Sequence, residues 1–97
     1  MNKHLHKLFL TLDMKFDIHI YDYFKYPEEF KNDLTDELYL HLEAAITEDP
    51  RRLGHYYRVI SDQLQESELH EEFERADILK RLKIRFEEEW GVATLLT

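Results

Sequence analysis

A chain of 97 residues holds one modest domain, and 43% hydrophobic with 13% aromatic content is enough to bury a core despite 35% charged side chains. Two glycines, two prolines and no cysteine argue against a turn-rich sandwich or barrel and exclude a disulfide scaffold, thiolate metal sites and a cysteine nucleophile. The net charge of −8 is uneven: residues 27–50 carry eight acids against Lys31 alone, whereas residues 1–26 sum to +1 and residues 51–97 to −2, a balance that repels nucleic acid.

The first element reads as an amphipathic helix from about Lys3 to Lys25. Leu5, Leu8, Phe9, Leu12, Phe16, Ile20, Tyr23 and Tyr26 fall within an arc of about 120° on a helical wheel. Between residues 14 and 24 a strand competes, because Met14, Phe16, Ile18 and Ile20 alternate with Lys15, Asp17 and His19. The helix accounts for more positions, and nothing else in the chain alternates to pair with a strand.

Tyr26-Pro27 breaks the pattern, and Pro27-Glu28-Glu29 can open a second helix with proline at its first position and acids at its positive end; Asp33 and Thr35 are rival caps. Phe30, Leu34, Leu38, Leu42, Ala45 and Ile46 form its apolar face, and it should end near Glu48. Asp49-Pro50 is the clearest punctuation, an N-cap acid followed by proline, after which Leu53, Tyr56, Tyr57, Ile60 and Leu64 recur at helical spacing. Gly54 sits in that first turn at a cost of about 1 kcal/mol relative to alanine.

The last helix should run through Leu69, Phe73, Ala76, Leu79, Leu82, Phe86 and Trp90 and stop at Gly91. Glu71–Arg75, Asp77–Arg81, Lys83–Glu87 and Arg85–Glu89 stand four apart and can pair along it. With Ile78 and Ile84 included, its apolar arc widens to about 240°, more than one neighbour covers, so a second contact surface is expected. The apolar tail Val92-Ala93-Thr94-Leu95-Leu96-Thr97 points the same way.

Within this half, Ile60 and Leu64 followed by Phe73-Glu74-Arg75-Ala76, Leu79, Lys80 and Leu82 form a pattern that resembles the UVR motif of the bacterial excision-repair proteins. The chain has Asp77 where that family usually has a second alanine, and Arg81 where it has an acid. The resemblance covers about residues 60–86 and implies an antiparallel helical hairpin, turning near Ser67–Glu72, that mediates protein–protein contact and pairing with another copy of itself.

Chemistry-bearing constellations are sparse. A di-metal bundle needs Glu-x-x-His pairs, and none occurs; Glu37/His41 and Glu66/His70 are four apart, as is common in charged helices. His19 and His41 fall on apolar faces, where core or boundary histidines are the ordinary explanation, and His4 and His6 carry no site. Ser61 and Ser67 lie in no nucleophile-elbow context, and the two glycines are isolated, so no phosphate loop exists. The basic-aromatic group Arg51, Arg52, His55, Tyr56, Tyr57 and Arg58 has a nucleic-acid flavour, but Tyr57 faces the apolar stripe and Asp49 lies beside the arginines.

The reading is therefore an all-α single domain over 1–97, a bundle of three to four helices built as two hairpins, 1–48 and 49–91, with a tail at 92–97. No enzyme activity, cofactor, metal or membrane span is expected, and a cytoplasmic location is the default. The expected function is a protein–protein interaction or regulatory module, pairing as a homodimer through its C-terminal hairpin. Its candidate contact residues are Tyr56, Tyr57, Phe73, Ile78, Leu82, Phe86 and Trp90. The alternative is an acidic inhibitor that uses the 28–49 block to occupy a basic or DNA-binding site of a target.

Overall fold

The computed structural model describes residues 2–18 and 23–91. Four helices follow in order: α1 Lys3–Ile18, α2 Glu28–Glu48, α3 Leu53–Leu69 and α4 Phe73–Trp90, with 3-10 turns at Tyr23–Lys25 and Pro50–Arg52. The molecule is a small all-α bundle in which α1 pairs with α2, α3 with α4, and the two hairpins meet where α4 packs on α2.

Helix α1 begins on an asparagine cap: Asn2 Oδ1 accepts the amide hydrogens of His4 at 2.8 Å and Leu5 at 3.4 Å, satisfying two of the donors a helix start leaves open. The segment 14–18 is helical, which settles the helix–strand competition as far as Ile18. The helix does not run on to Lys25 as expected, since Tyr23–Lys25 is a separate 3-10 turn. His19 and Ile20, and the side chains of Phe16 and Ile18, lie outside the described residues, as does the tail 92–97.

Helix α2 starts one residue later than the proline rule suggests. Pro27 is its N-cap, with an extended backbone whose carbonyl accepts from Phe30 at 3.1 Å and Lys31 at 3.4 Å. Asp49 ends α2 and opens the next turn without a side-chain cap bond. Its carboxylate instead faces the guanidinium Nε atoms of Arg51 at 3.5 Å and Arg52 at 3.4 Å, so proline and charge, rather than an acid cap, make this corner.

The turn between α3 and α4 has no glycine, proline or asparagine. Glu71 occupies the left-handed region at φ 58°, its amide donates to the Glu68 carbonyl at 3.2 Å, and the Glu72 amide donates to the Ser67 carbonyl at 2.8 Å. These paired bonds form a Schellman motif with glutamate where glycine is usual. At the far end of α4, Gly91 takes the expected stop at φ 62°, donating to the Glu87 carbonyl at 2.8 Å.

The core joins Leu5, Leu8 and Leu12 of α1, Leu34, Leu38, Leu42, Ala45 and Ile46 of α2, Tyr56, Ile60 and Leu64 of α3, and Ile78, Leu79, Leu82 and Phe86 of α4. Each fully buried large side chain contributes about 1.5–3 kcal/mol relative to exposure. Tyr39, absent from the expected apolar face, is also in this core. Phe30, Leu69 and Phe73 correct the expected faces: all three are exposed, Phe30 in the first turn of α2 against Tyr26, and Leu69 and Phe73, at 76% and 56%, where they flank the α3–α4 turn.

The wide arc of α4 is filled within the chain. Ile78 is fully buried, and α4 lies against α3 on one side and α2 on the other, which is the second surface the arc demanded. Ile84 at 44% exposed, with Phe73 and Trp90 at the two ends of the helix, marks the part of the arc left open. No helix among the described residues is long and apolar enough to cross a membrane.

Candidate functional site

Five of the seven expected contact residues belong to the core. Tyr56, Tyr57, Ile78, Leu82 and Phe86 are buried, so a partner cannot touch their rings and methyls without opening the bundle. Tyr57 and Phe86 face each other at 5.7 Å between ring centroids, the Tyr57 hydroxyl donates to the Glu87 carboxylate, and the Lys83 ammonium lies 5.5 Å from the Tyr57 ring centre. That hydrogen bond to a carboxylate, with burial behind it, pushes the Tyr57 phenol pKa up. Phe73 and Trp90 remain partly open to a partner.

The side of α4 turned to α2 is polar and ordered. Tyr23 donates to Asp77 Oδ2 at 2.7 Å, and the same oxygen accepts from Arg81 Nε at 3.0 Å. Arg81 then grips Glu28 through both terminal nitrogens, at 2.9 and 3.2 Å. One turn further, Arg85 pairs with Asp36 and lies 4.3 Å from the Tyr39 ring centre, and Trp90 Nε1 donates to the Tyr39 hydroxyl at 2.8 Å.

These contacts set the local acidities. Burial raises the Asp77 carboxyl, but bonds from Tyr23 and Arg81 outweigh it and hold the group below the usual carboxylate range. Burial and the Asp77 bond push Tyr23 up, and the Arg81 grip holds Glu28 down. Asp77 and Arg81 are the two departures from the UVR pattern, and here they fasten α4 to the N-terminal hairpin.

Of the four expected pairs along α4, Asp77–Arg81 forms. Arg75 turns instead to Asp13 on α1, with Gln63 at 3.3 Å and Glu72 at 3.9 Å, and Arg85 crosses to α2. The acidic block is therefore partly neutralised from within, Glu28 and Asp36 being paired with arginines of α4, while Glu48 lies 3.4 Å from His4 and accepts from Asn2 at 3.2 Å. Glu29, Asp33 and Glu37 line the exposed face of α2 beside Leu40.

Exposed apolar side chains gather at one end. Tyr23 to Asp77, Glu28 to Arg81 and Asp13 to Arg75 place the end of α1, the start of α2 and the α3–α4 turn together. Met14, Phe24, Tyr26, Phe30, Leu69 and Phe73, six of the ten exposed large apolar residues among those described, lie at that end. Tyr26 and Phe30 stack at 4.7 Å. Sequence reasoning assigned most of these to buried faces and missed a local signal: residues 59–74 hold six acids and no lysine or arginine around Leu69 and Phe73. The −2 sum over 51–97 concealed it because five basic residues follow by residue 85.

At the opposite end, Asn2, Glu48, Asp49, Pro50, Arg51, Arg52 and Tyr56 line a shallow cleft of about 510 Å³. The Arg51 side chain is 93% exposed, and the Tyr56 hydroxyl accepts from Asn2 at 3.3 Å, so the basic-aromatic group is divided between surface and interior. His41 is half-buried on α2, and no group of three or more His, Asp or Glu side chains among the described residues is placed to hold a metal ion. Comparison with protein-family models, with curated proteins and with solved structures finds no match to this chain.

Proposed function

We propose that this chain is a non-catalytic protein–protein interaction module that meets its partner at the bundle end bearing the α3–α4 turn. The observation that carries the reading is the concentration of exposed apolar side chains there, on a fold whose core is otherwise filled by its own helices. A small domain gains nothing in stability from leaving Leu69 and Phe73 in water, and apolar groups gathered at one place on a surface mark contact sites. The UVR-like pattern of the C-terminal hairpin supports the same class of function.

Self-pairing through that hairpin is the second reading. Its surface on α4 is Phe73, Ile84 and Trp90, all exposed, since Ile78, Leu82 and Phe86 are committed to the core. Light scattering from low to high micromolar concentration separates the two: a mass that doubles supports copy-to-copy pairing, and a constant monomer mass removes it. Affinity capture from native host extract tests the module itself. Retention of a defined protein by wild type, reduced in the double variant L69S/F73S, is expected. A constant monomer mass together with no protein retained above a blank resin would overturn the reading.

A further inference from the structure

We infer that the α3–α4 turn takes a cationic amphipathic segment of another protein, with Leu69 and Phe73 as apolar anchors inside a rim of glutamates. The inference rests on the interaction reading and names its partner's chemistry. Leu69 is the last residue of α3 and Phe73 the first of α4, so the three-residue turn sets both at one corner, 76% and 56% exposed. Neither serves the turn itself. In a Schellman motif the helpful apolar contact joins the residues that here are Ser67 and Glu72, leaving Leu69 outside it.

The charge around the corner is one-sided. Glu66, Glu68 and Glu71 are exposed and Glu74 is half-buried, while the carbonyl end of α3 is offset by the amide end of α4 at the same turn. The nearest cation in sequence, Arg75, is occupied by Asp13, Gln63 and Glu72 and so does not neutralise the rim. The acidic face of α2 differs in arrangement: Glu28 and Asp36 are matched by Arg81 and Arg85, and its two exposed apolar residues, Phe30 and Leu40, stand ten residues apart along the helix rather than at one corner. Two apolar anchors with a ring of unneutralised acids complement a segment that carries lysine or arginine around one or two large apolar side chains. They repel a second copy of the same acidic corner.

The test titrates full-length chain with three labelled probes: a leucine–lysine amphipathic helix, an oligolysine of equal charge and a leucine–glutamate helix. The leucine–lysine helix should bind, with oligolysine at least about tenfold weaker and the leucine–glutamate helix not binding, because charge without anchors supplies only screened attraction. L69S/F73S and, separately, E68Q/E71Q/E74Q should each weaken the leucine–lysine helix by about tenfold or more, the second also flattening its salt dependence. E29Q/D33Q/E37Q on α2 should leave it within about twofold. All these positions are on the surface, and thermal unfolding of each variant checks that the fold is kept. Equal binding of oligolysine, wild-type affinity in both turn variants, or loss of binding in the α2 variant overturns the assignment. Absence of binding by wild type overturns it too, while the interaction reading then stands or falls on the host protein retained.

Discussion

Helix α4 has two working sides, and they hold the molecule by different means. Toward α3 the contacts are apolar, with Phe86 against the Tyr57 ring and Leu79 and Leu82 in the common core. Toward the N-terminal hairpin the shared core is joined by a ladder of directed bonds, Asp77 to Tyr23 of the 3-10 turn and Arg81, Arg85 and Trp90 to Glu28, Asp36 and Tyr39 of α2. Apolar burial is strong and indifferent to register, whereas hydrogen bonds and ion pairs are weak in net energy and demanding in geometry. The apolar side therefore supplies the stability of the C-terminal hairpin, and the polar side fixes how the two hairpins sit.

Substitutions break or sharpen that contrast in a graded way. Phe86→Ala removes a fully buried ring from the apolar side and should cost about 3–5 kcal/mol in denaturant unfolding, enough to unfold a marginal domain. Asp77→Ala on the polar side leaves the Tyr23 hydroxyl and one edge of Arg81 without their acceptor and should cost about 1–3 kcal/mol. A result in which Asp77→Ala exceeds Phe86→Ala would reverse the division of labour. Arg85→Ala should cost less than about 1 kcal/mol, and by an amount that shrinks with added salt, since the Arg85 and Asp36 side chains are 35% and 60% exposed.

The polar side also predicts a pH dependence. Asp77 and Glu28 are more acidic folded than unfolded, so the native state binds fewer protons than the unfolded state in the carboxylate range. Their stabilisation is complete above about pH 5 and lost as the pH falls through the lower folded values. Tyr23, Tyr39 and Tyr57 have raised phenol pKa values, so their contribution is complete below about pH 10 and lost as the pH rises beyond it. In Asp77→Asn the acid-side slope of unfolding free energy against pH should flatten, and in Tyr23→Phe the alkaline side should flatten. An unchanged profile in both would show that the ladder carries no linkage.

The smallest expected effect is of opposite sign. Glu71→Gly places the residue free of a Cβ penalty in the left-handed turn and should stabilise by about 0.5–1 kcal/mol, read as a higher melting temperature. A fall in melting temperature would mean that the Glu71 side chain contributes more than its backbone costs.

How much of this was legible depends on how local each cause is. The helices of residues 28–90 and the stop at Gly91 follow from spacing and glycine within a few residues and appear as read, while the break at Asp49-Pro50 appears without the side-chain cap expected of Asp49. The α3–α4 turn falls within the expected window of residues 67–72, but Leu69 closes α3 rather than opening the last helix, and the left-handed Glu71 has no compositional signal. Partners on other helices were out of reach: a single sequence offers Arg75 and Arg85 neighbours four residues away, and the fold offers Asp13 and Asp36 instead. The contact residues were misjudged for the same reason. Large apolar and aromatic groups mark both cores and interfaces, and only the assembled bundle, with α4 against both α3 and α2, shows that Ile78, Leu82 and Phe86 are core.

Trp90 is the only tryptophan in the chain, and its indole spans the seam between the hairpins by donating to Tyr39. Undocking of one hairpin from the other breaks that bond and exposes the rest of an indole already 40% exposed, before either helix pair need melt. The intrinsic emission should therefore shift to the red ahead of the loss of helical circular dichroism wherever the polar side gives way first, and the two signals should coincide wherever the apolar core fails as a unit.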